Sequence, residues 1–340
     1  MNDKTVHLVT GANGRTGLAL CAELGSRGHF VRALVRKGSE NYHPFLTPFV
    51  DEIVYGDIRD RESLDAAFAG ADYVYHLAGI VSIASKMNRE IAGTNIDGTK
   101  NVIDACLAHG VKRLVYTGTV HTLPFTDTKT VLREIPRFRP EEVHGSYAVS
   151  KAAASNLVLD AVKEQGLDAV IAMPSGIVGG FELKRSNFGQ MLADVAEGRL
   201  PVYVKGRYDF VAVRDVARAL ADLALAGSAG ESYIVSGNQV TVEELVTWAA
   251  KAAGVKPPKL CLPLPLVKLF SYPAERLALL RKRTLVFTPY AIKVLGDNCN
   301  FSHEKLTALT GYAPSSIEEA IREQVEYYVS VYKPAFMKKA

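Results

Sequence analysis

The chain has 340 residues, of which 48% are hydrophobic and 22% are charged, a composition typical of a globular protein with a large buried core. The net charge of +4 is spread along the sequence, so it does not indicate a nucleic-acid partner. The four cysteines, Cys21, Cys106, Cys261 and Cys299, form no CxxC pair, which predicts reduced thiols, a cytoplasmic location and no metal cluster.

Neither a secretory leader before Val6 nor a membrane-spanning segment is evident in the sequence. A spanning helix needs a run of about 18 apolar residues, and no such run is present. The most apolar segment, Leu260 to Leu280, is interrupted by prolines and charged residues. We interpret it as a loop and an amphipathic helix, with contact to a membrane surface as the alternative.

In the first half of the chain, short β-branched runs alternate with helical stretches. Strands are predicted at Thr5 to Thr10, Phe30 to Val35, Glu52 to Tyr55, Tyr73 to Leu77, Arg113 to Thr117 and Ala169 to Met173. Helices are predicted at Gly14 to Arg27, Ser63 to Ala69, Asn95 to His109 and Ser146 to Gln165. Strands separated by single helices imply crossover connections and an α/β fold, with helices on both faces of a doubly wound parallel sheet.

Beyond Pro174, turn residues, prolines and scattered helices replace this alternation. A strand end and helix at Val211 to Ala226, and a short strand at Ser232 to Val235, are predicted to return to the sheet. We therefore expect a sheet domain of residues 1–175 and 208–237. Residues 176–207 and 238–335 then form a smaller C-terminal substrate lobe over the carboxyl edge of the sheet, where ligands bind in such folds.

A glycine-rich turn follows the first predicted strand. The sequence TGANGRTG at Thr10 to Gly17 opens a helix with glycines spaced GxxGxxG. Glycine permits the tight turn and the close approach of the backbone to a pyrophosphate, while the helix start offers unpaired N–H groups. This context predicts a dinucleotide-binding, Rossmann-type sheet domain, with a glycine turn that binds no ligand as the alternative.

The residues after the second strand bear on which dinucleotide binds. Val35, Arg36 and Lys37 stand where an NAD site usually carries an acidic residue for the ribose hydroxyls. Arg36, assisted by Arg15, can pair with the 2′-phosphate of NADP. NADP(H) is therefore favoured and NAD(H) remains possible, since the two basic residues are otherwise ordinary surface residues. Asp57 is a candidate for the adenine amino group, or else a capping or loop residue.

Tyr147 and Lys151 are four residues apart at the start of the long predicted helix and share one of its faces. A neighbouring ammonium favours the phenolate and lowers the pKa of a tyrosine, which then exchanges a proton with a carbonyl or alcohol oxygen. Thr119 follows the strand Arg113 to Thr117 and is placed to bind that oxygen. Asn95 begins the preceding helix, where it is equally an N-terminal cap.

Several motifs occur in order along nearly the whole chain. They are TGANGRTG at Thr10 to Gly17, GDIRD at Gly56 to Asp60, HLAG at His76 to Gly79, TNIDGTKNV at Thr94 to Val102, YTGT at Tyr116 to Thr119, YAVSK at Tyr147 to Lys151, PSGIVGG at Pro174 to Gly180, FVAVRDVARA at Phe210 to Ala219 and GYAPSSIEEAI at Gly311 to Ile321. The chain therefore resembles the extended short-chain dehydrogenase/reductase superfamily, the NAD-dependent epimerase/dehydratase type.

This resemblance implies the roles of the site residues. Thr119, Tyr147 and Lys151 match the catalytic residues, although serine is commoner than Thr119, and Asn95 matches the asparagine of the active-site helix. Lys151 would also hold the nicotinamide ribose. The cofactor residues implied are Gly11, Asn13, Gly14, Arg15, Thr16, Gly17, Arg36, Asp57, Ile58, Leu77, Ala78, Gly79, Thr117, Tyr147, Lys151, Pro174, Gly176 and Ile177. It further implies a homodimer in which the helices at Asn95 to His109 and Ser146 to Gln165 pack as a four-helix bundle.

Two branches of the superfamily compete. VRALVR at Val31 to Arg36 is similar to the branch of dihydroflavonol-4-reductase and the 3β-hydroxysteroid dehydrogenases, which move hydride between the cofactor and a bulky substrate. Sugar-nucleotide epimerases and dehydratases often carry an asparagine after the sixth strand, where this chain reads MPSGIVG from Met173, and an arginine where it has Tyr208. These departures favour the reductase branch, with Arg207 a possible phosphate contact.

We therefore expect an NAD(P)-dependent oxidoreductase that acts on a ketone or secondary alcohol of a bulky, largely apolar small molecule. His121, Phe181, Phe188 and Tyr203 are candidate substrate residues, as is the segment Leu264 to Phe270, although apolar residues of the lobe are more commonly core. The alternatives are a nucleotide-sugar epimerase or dehydratase and a non-enzymatic NADP sensor. The intact Tyr147 and Lys151 argue against the sensor.

Overall fold

The computed structural model describes residues 4–81, 87–124, 126–265, 267 and 295–332. The strands are β1 (Val6–Thr10), β2 (Phe30–Val35), β3 (Glu52–Tyr55), β4 (Tyr73–His76), β5 (Arg113–Thr117), β6 (Ala169–Pro174), β7 (Gly176–Val178), β8 (Val202–Val204), β9 (Arg207–Ala212), β10 (Ser232–Val235), β11 (Asn238–Thr241) and β12 (Leu260–Leu262). The helices are α1 (Arg15–Ser26), α2 (His43–Leu46), α3 (Asp65–Phe68), α4 (Arg89–Ala92), α5 (Gly98–Ala108), α6 (Ser146–Gln165), α7 (Asn187–Ala196), α8 (Val213–Ala226), α9 (Val242–Ala252), α10 (Glu304–Thr310) and α11 (Ile317–Tyr332).

The predicted parallel sheet is confirmed. It has seven strands in the order β10-β6-β5-β4-β1-β2-β3, each parallel to its neighbours. Alternate residues of each central strand face opposite sides, so that Leu8 and Leu114 pack against α5 and α6 while Val9 and Val115 pack against α1 and α8. Both faces are covered by helices, which explains why these strands read as nearly continuous apolar runs.

The helix predicted from Asn95 to His109 begins earlier, at Arg89. Asn88 caps it, because its side-chain oxygen accepts a hydrogen bond from the Ile91 N–H at 2.8 Å. A π-helical turn, Gly93–Asp97, joins α4 to α5. Asn95 therefore lies inside the helix, and its interpretation as an N-terminal cap is wrong.

The smaller lobe contains two short sheets. β9 pairs with β11 antiparallel and with β7 parallel, and β12 pairs with β8. Their apolar residues and those of α7, α9 and α11 form a separate core. The segment 208–237 was expected to return to the sheet domain. Its helix α8 packs against α1 and its strand β10 completes the large sheet, whereas β9 lies in the three-stranded sheet with β7 and β11.

Two of the sequence motifs meet where α8 contacts the C-terminal segment. The carboxylate of Asp215 is fully buried and accepts hydrogen bonds from the Ser315 backbone N–H at 2.6 Å and its hydroxyl at 2.8 Å. Most of the apolar segment Leu260 to Leu280, including most of Leu264 to Phe270, lies outside the described residues. No helix within the described ranges is both long and apolar enough to cross a bilayer.

Candidate active site

The glycine loop fits tightly between β1, α1 and the end of β4. Gly11 has a φ of 69°, and a Cβ there would lie 2.8 Å from the Ala78 nitrogen. A Cβ on Gly17 would lie 2.2 Å from the Gly11 carbonyl oxygen. Gly14 stands at the N-cap of α1, where no side chain caps the helix. The N–H groups of Arg15 and Thr16 thus open the helix without a side-chain cap, the arrangement that binds a pyrophosphate.

A polar cavity of about 800 Å³ continues from this loop along the ends of β2 and β3. Asn13, Arg36, Lys37 and Asp57 line it, and the lobe contributes Lys184, which the sequence did not single out. Arg59 binds the Asp57 carboxylate at 2.6 Å and is the main reason why the pKa of Asp57 is lowered, with Arg36 a further cause. Val35 is buried and does not line the cavity, whereas Arg36 and Lys37 do, so the wall at the end of β2 is cationic rather than acidic.

Arg15 does not line this cavity. Its guanidinium turns toward the lobe, donates a hydrogen bond to the Ile177 carbonyl oxygen at 2.7 Å and forms an ion pair with Glu182. Arg15 was expected to assist in reading a 2′-phosphate, but its side chain is directed at the opposite end of the site.

The end of β4 is held by Asn95, whose side chain is buried. Its amide oxygen accepts from the Ile80 N–H at 2.7 Å, and its nitrogen donates to the Ile80 carbonyl and to the Ser150 hydroxyl, both at 2.9 Å. Asn95 thereby connects the loop after β4 to the start of α6. Leu77, Ala78 and Gly79 precede Ile80 in this loop, and Leu77 and Ala78 lie beside Gly11 of the glycine loop.

Behind this loop His76 takes part in a buried chain of hydrogen bonds. Its Nδ1 lies 2.9 Å from the Thr10 hydroxyl and its Nε2 lies 3.1 Å from the Thr99 hydroxyl, which in turn donates to the Asn95 carbonyl oxygen. Burial, together with the nearby Lys151, lowers the pKa of His76 to about 3. A neutral imidazole is therefore built into the floor of the site.

Tyr147 and Lys151 occupy the first two turns of α6, which begins after Gly145 at a φ of 89°. Burial raises the pKa of Tyr147 to about 12, against the opposing effect of a hydrogen bond with Thr119. Burial also lowers the pKa of Lys151 to about 7, and its Nζ lies 4.2 Å from the centre of the Tyr116 ring. The pKa of Tyr147 is thus raised and not lowered as expected from Lys151, because desolvation disfavours the charged form of both side chains.

Thr119 lies where β5 ends, and its hydroxyl oxygen accepts from the His121 backbone N–H at 3.3 Å. The His121 ring meets the Tyr147 ring edge-on at 6.3 Å between centroids and stacks on Tyr208 at 5.9 Å. The Tyr208 hydroxyl lies 3.3 Å from Nε2 of His121, whose pKa burial lowers to about 4. Tyr208 was missed as a site residue, because only the fold brings β9 beside the end of β5.

The other candidate substrate residues divide into two groups. Phe188 packs on Phe210 at 5.1 Å, and Phe210 packs on Tyr208 at 5.6 Å, so an aromatic wall runs from Phe188 through Tyr208 and His121 to Tyr147. Phe181 instead contacts Phe49 and Tyr327. Tyr203 is buried in the core of the lobe, to which Tyr208 and Phe210 of the aromatic wall also belong.

The segment after β6 adjoins this wall, because Gly176 on β7 pairs with Phe210 on β9. A Cβ on Gly176 would lie 2.8 Å from the Phe210 ring, so glycine lets the aromatic wall approach the segment Pro174 to Ile177. At the end of β5 the Thr117 hydroxyl is buried without a hydrogen-bond partner among the described residues. Ile58, an expected cofactor residue, is buried in the core against Gly98.

The sequence model of the NAD-dependent epimerase/dehydratase family matches residues 7–236. The chain belongs to this family. It is 32% identical over 326 residues to sterol demethylase protein B of Methylococcus capsulatus, covering 94% of this chain and 97% of that protein. It is 28% identical over 367 residues to a 3β-hydroxysteroid dehydrogenase/Δ5→4-isomerase of Mycobacterium tuberculosis, covering 96% and 91%.

Among solved structures, that of gox2253 has a TM-score of 0.82 and 30% identity, and the match covers 96% of this chain and 99% of that one. UDP-glucose 4-epimerase of Thermotoga maritima has a TM-score of 0.77 at 19% identity, over 97% of this chain and 100% of that one, and shares the fold. As a member of the NAD-dependent epimerase/dehydratase family, the chain is an NAD(P)-dependent enzyme of the short-chain dehydrogenase/reductase type. It has an oxidoreductase or epimerase role on small molecules.

Proposed function

We propose that the protein is an NADP(H)-preferring oxidoreductase acting on a ketone or secondary alcohol of a sterol-like, largely apolar ring system. The observation that carries this proposal is the aromatic wall of Phe188, Phe210, Tyr208 and His121, which leads directly to Tyr147. A flat apolar substrate buries its surface against such a wall, with its oxygen at the polar end. The near full-length similarity to proteins named for sterol and steroid chemistry supports the same substrate class.

The residues present fit a nicotinamide dinucleotide. The uncapped start of α1 suits its pyrophosphate, the cationic cavity suits its phosphorylated adenosine, and the buried Thr117 hydroxyl offers a hydrogen-bonding group toward the nicotinamide end. When bound, the cofactor supplies or accepts the hydride. Tyr147 then gives a proton to the substrate oxygen or removes one, while Thr119 holds that oxygen in place. Lys151 holds the nicotinamide ribose and favours the phenolate of Tyr147.

The preference for NADP(H) rests on the cationic end of the cavity. Arg36 and Lys37 are exposed on the loop after β2, and Lys184 reaches the same cavity from the lobe. An arginine presents a planar fork of donors that matches a phosphate group, and Val35 offers no carboxylate to bind the ribose hydroxyls of NAD.

A substrate panel tests the reaction. Oxidation of 3β-hydroxysteroids with NADP⁺ and reduction of 3-ketosteroids and dihydroflavonols with NADPH are followed by nicotinamide absorbance, with NAD(H) in parallel. We expect turnover of a sterol-like compound and a higher kcat/KM with NADP(H). Conversion of only a UDP- or dTDP-sugar without net cofactor consumption would establish the epimerase alternative. A biological output unchanged by Tyr147→Phe would establish the sensor.

The cofactor preference is tested by Arg36→Asp, which replaces the phosphate-binding charge by a ribose-binding carboxylate. The ratio of kcat/KM values for NADPH and NADH should fall by about a hundredfold, given the strength of a charge-assisted phosphate contact. Arg89→Asp, at the start of α4, is a matched surface control. An unchanged ratio in Arg36→Asp would contradict the assignment.

We propose in addition that the enzyme is a homodimer through α5 and α6. Val149, Ala153 and Leu157 recur every four residues on α6 and are only half-buried. Leu107 on the adjoining α5 is also half-buried. Such a stripe suits the packing of a second pair of helices. Light scattering should give a dimer mass for the wild type and a monomer mass for Leu157→Glu. A monomeric wild type would exclude the dimer.

A further inference from the structure

Arg15 joins the part of the site that suits the pyrophosphate to the part expected beside the nicotinamide. Its backbone opens α1 immediately after Gly14, while its side chain reaches the Ile177 carbonyl oxygen on β7. Only 13% of the side chain is exposed, and burial lowers the pKa of its guanidinium. A buried guanidinium needs a charged partner, and the lobe supplies it as Glu182.

Glu182 is the centre of a polar cluster that belongs to the lobe. Besides pairing with Arg15, its carboxylate accepts from the backbone N–H of Ser186 at 3.0 Å and from its hydroxyl, and it accepts from the Gln324 side-chain nitrogen at 3.1 Å. Ser186 caps α7, and Gln324 lies on α11. One carboxylate therefore connects the glycine loop to two helices of the lobe.

The surroundings are shaped for this carboxylate. A Cβ on Gly189 of α7 would lie 2.0 Å from a carboxylate oxygen of Glu182, so only glycine leaves room for it. The Gln324 oxygen accepts from the Gly179 N–H at 3.0 Å, which ties the cluster to the end of β7. The cluster therefore binds the chain at Gly179, two residues after the Ile177 carbonyl that accepts from Arg15.

We propose that Glu182 and Arg15 are positioning residues for the nicotinamide half of the cofactor. Glu182 orients Arg15, and Arg15 holds the β7 segment against the glycine loop. The lobe and the loop then bind the dinucleotide as one unit. The adenosine half is expected to depend on other residues, chiefly those at the ends of β2 and β3, with Asn13 and Lys184 also lining that cavity. Loss of the pair should therefore affect the two halves of the cofactor unequally. This inference rests on the proposed binding of NADP(H).

The test compares NADPH with adenosine 2′,5′-bisphosphate, which carries the adenosine and the 2′-phosphate but no nicotinamide. Calorimetry measures both dissociation constants for the wild type, for Glu182→Gln and for the double variant Arg15→Met/Glu182→Met, which leaves no unpaired buried charge. We expect about a tenfold or greater loss of NADPH affinity, since small displacements of bound groups are costly. Affinity for the bisphosphate should stay within about twofold. The KM for NADPH should rise and kcat should fall in the same variants.

Lys251→Met/Glu318→Met is the matched control, because it removes an ion pair between α9 and α11 within the lobe. It should leave both dissociation constants unchanged. If the Arg15 and Glu182 variants lowered the melting temperature while both affinities stayed at wild-type values or fell equally, the pair would be structural only and the inference would be wrong. If the wild type bound neither ligand, the proposed function itself would fail.

Discussion

Tyr147, Lys151 and Thr119 lie within a desolvated pocket that opposes the charged forms of the tyrosine and the lysine. The pKa of Tyr147 is raised to about 12, which makes the neutral phenol a proton donor ready for a reduction. In the direction of alcohol oxidation Tyr147 would have to act as a phenolate, which requires a neighbouring positive charge. Lys151 is the nearest candidate in sequence. The two side chains are therefore interdependent, and neither is expected to work alone.

Replacing Tyr147 by phenylalanine should lower kcat by about 10²- to 10⁴-fold, the usual contribution of a positioned acid or base. The ring contact with His121 is retained, so the melting temperature should change little. Steady-state kinetics and thermal unfolding check both statements. Full activity of the variant would remove Tyr147 from the chemistry.

The pKa of Lys151, lowered to about 7 by burial, predicts a pH dependence near neutrality. Its ammonium is present below pH 7 and is lost as the pH rises through that value. The kcat/KM for NADPH, which reports groups of the free enzyme, should therefore decline above about pH 7. The ionisation should be absent from the residual activity of Lys151→Met. A wild-type pH profile of kcat/KM that stays flat to pH 9 would contradict this role of Lys151.

His121 and Tyr208 form the polar end of the aromatic wall. His121→Phe preserves a flat ring between Tyr147 and Tyr208 but removes the nitrogen that meets the Tyr208 hydroxyl. We expect kcat/KM for the substrate to fall by about tenfold, the value of one hydrogen bond, with cofactor affinity unchanged. Tyr208→Phe should have a similar effect. If both variants had the same kcat/KM as the wild type, His121 and Tyr208 would lie outside the substrate site.

At the scale of elements, the glycine loop depends on the contact between the first turn of α1 and the carbonyl group of Gly11. In Gly17→Ala the added methyl group would lie 2.2 Å from that oxygen, whereas in Gly14→Ala it would lie 3.2 Å away. Forced overpacking costs about 1–3 kcal/mol, so Gly17→Ala should lower the free energy of unfolding by that amount and abolish dinucleotide binding. Denaturation and calorimetry should show a much smaller effect for Gly14→Ala, and similar effects would refute the argument.

The elements also show where sequence patterns fail. The strands of the large sheet lie close to their predicted bounds, and β2, β3, β5 and β10 lie at them, because most of these strands are buried on both faces and their apolar runs are continuous. The short strands β7, β8 and β12 were not predicted. Each has three residues, too few for a periodic pattern, and each forms only because a partner strand is brought beside it.

At the scale of the whole molecule, His7, His76 and His121 are buried in three different places, and burial lowers the pKa of each to about 4, 3 and 4. The unfolded chain binds protons at these residues near pH 6.5, whereas the folded protein does not. Their stabilising effect is therefore complete above pH 6.5 and is lost as the pH falls toward 4. Because each pH unit is worth about 1.4 kcal/mol per group, the loss by pH 5 is on the order of a few kcal/mol.

Urea denaturation at pH 7 and pH 5 measures this loss. His7→Gln removes one titrating group at the opposite end of the sheet from Tyr147 while keeping a partner for the Tyr75 hydroxyl, which lies 3.0 Å from His7. The variant should show a smaller difference in unfolding free energy between the two pH values. An equal difference would show that His7 does not contribute.

The linear sequence was sufficient to predict the parallel sheet, the glycine loop on its helix and the family of the chain. These features depend on patterns within about twenty residues: apolar runs, glycine at a strand-helix junction, and a four-residue spacing on α6. The direction of the Arg15 side chain was expected wrongly from such a pattern, since its partners Ile177 and Glu182 are more than 160 residues away along the chain.

Three further features depend on contacts of the same kind: Tyr208 beside His121, Lys184 in the polar cavity, and the buried chain of hydrogen bonds through His76. Local preferences restrict the backbone, but they do not select the partner of a buried polar group. That selection is made when distant segments are packed together, because each group that loses water must find a hydrogen bond or a charge among whatever the fold brings near it.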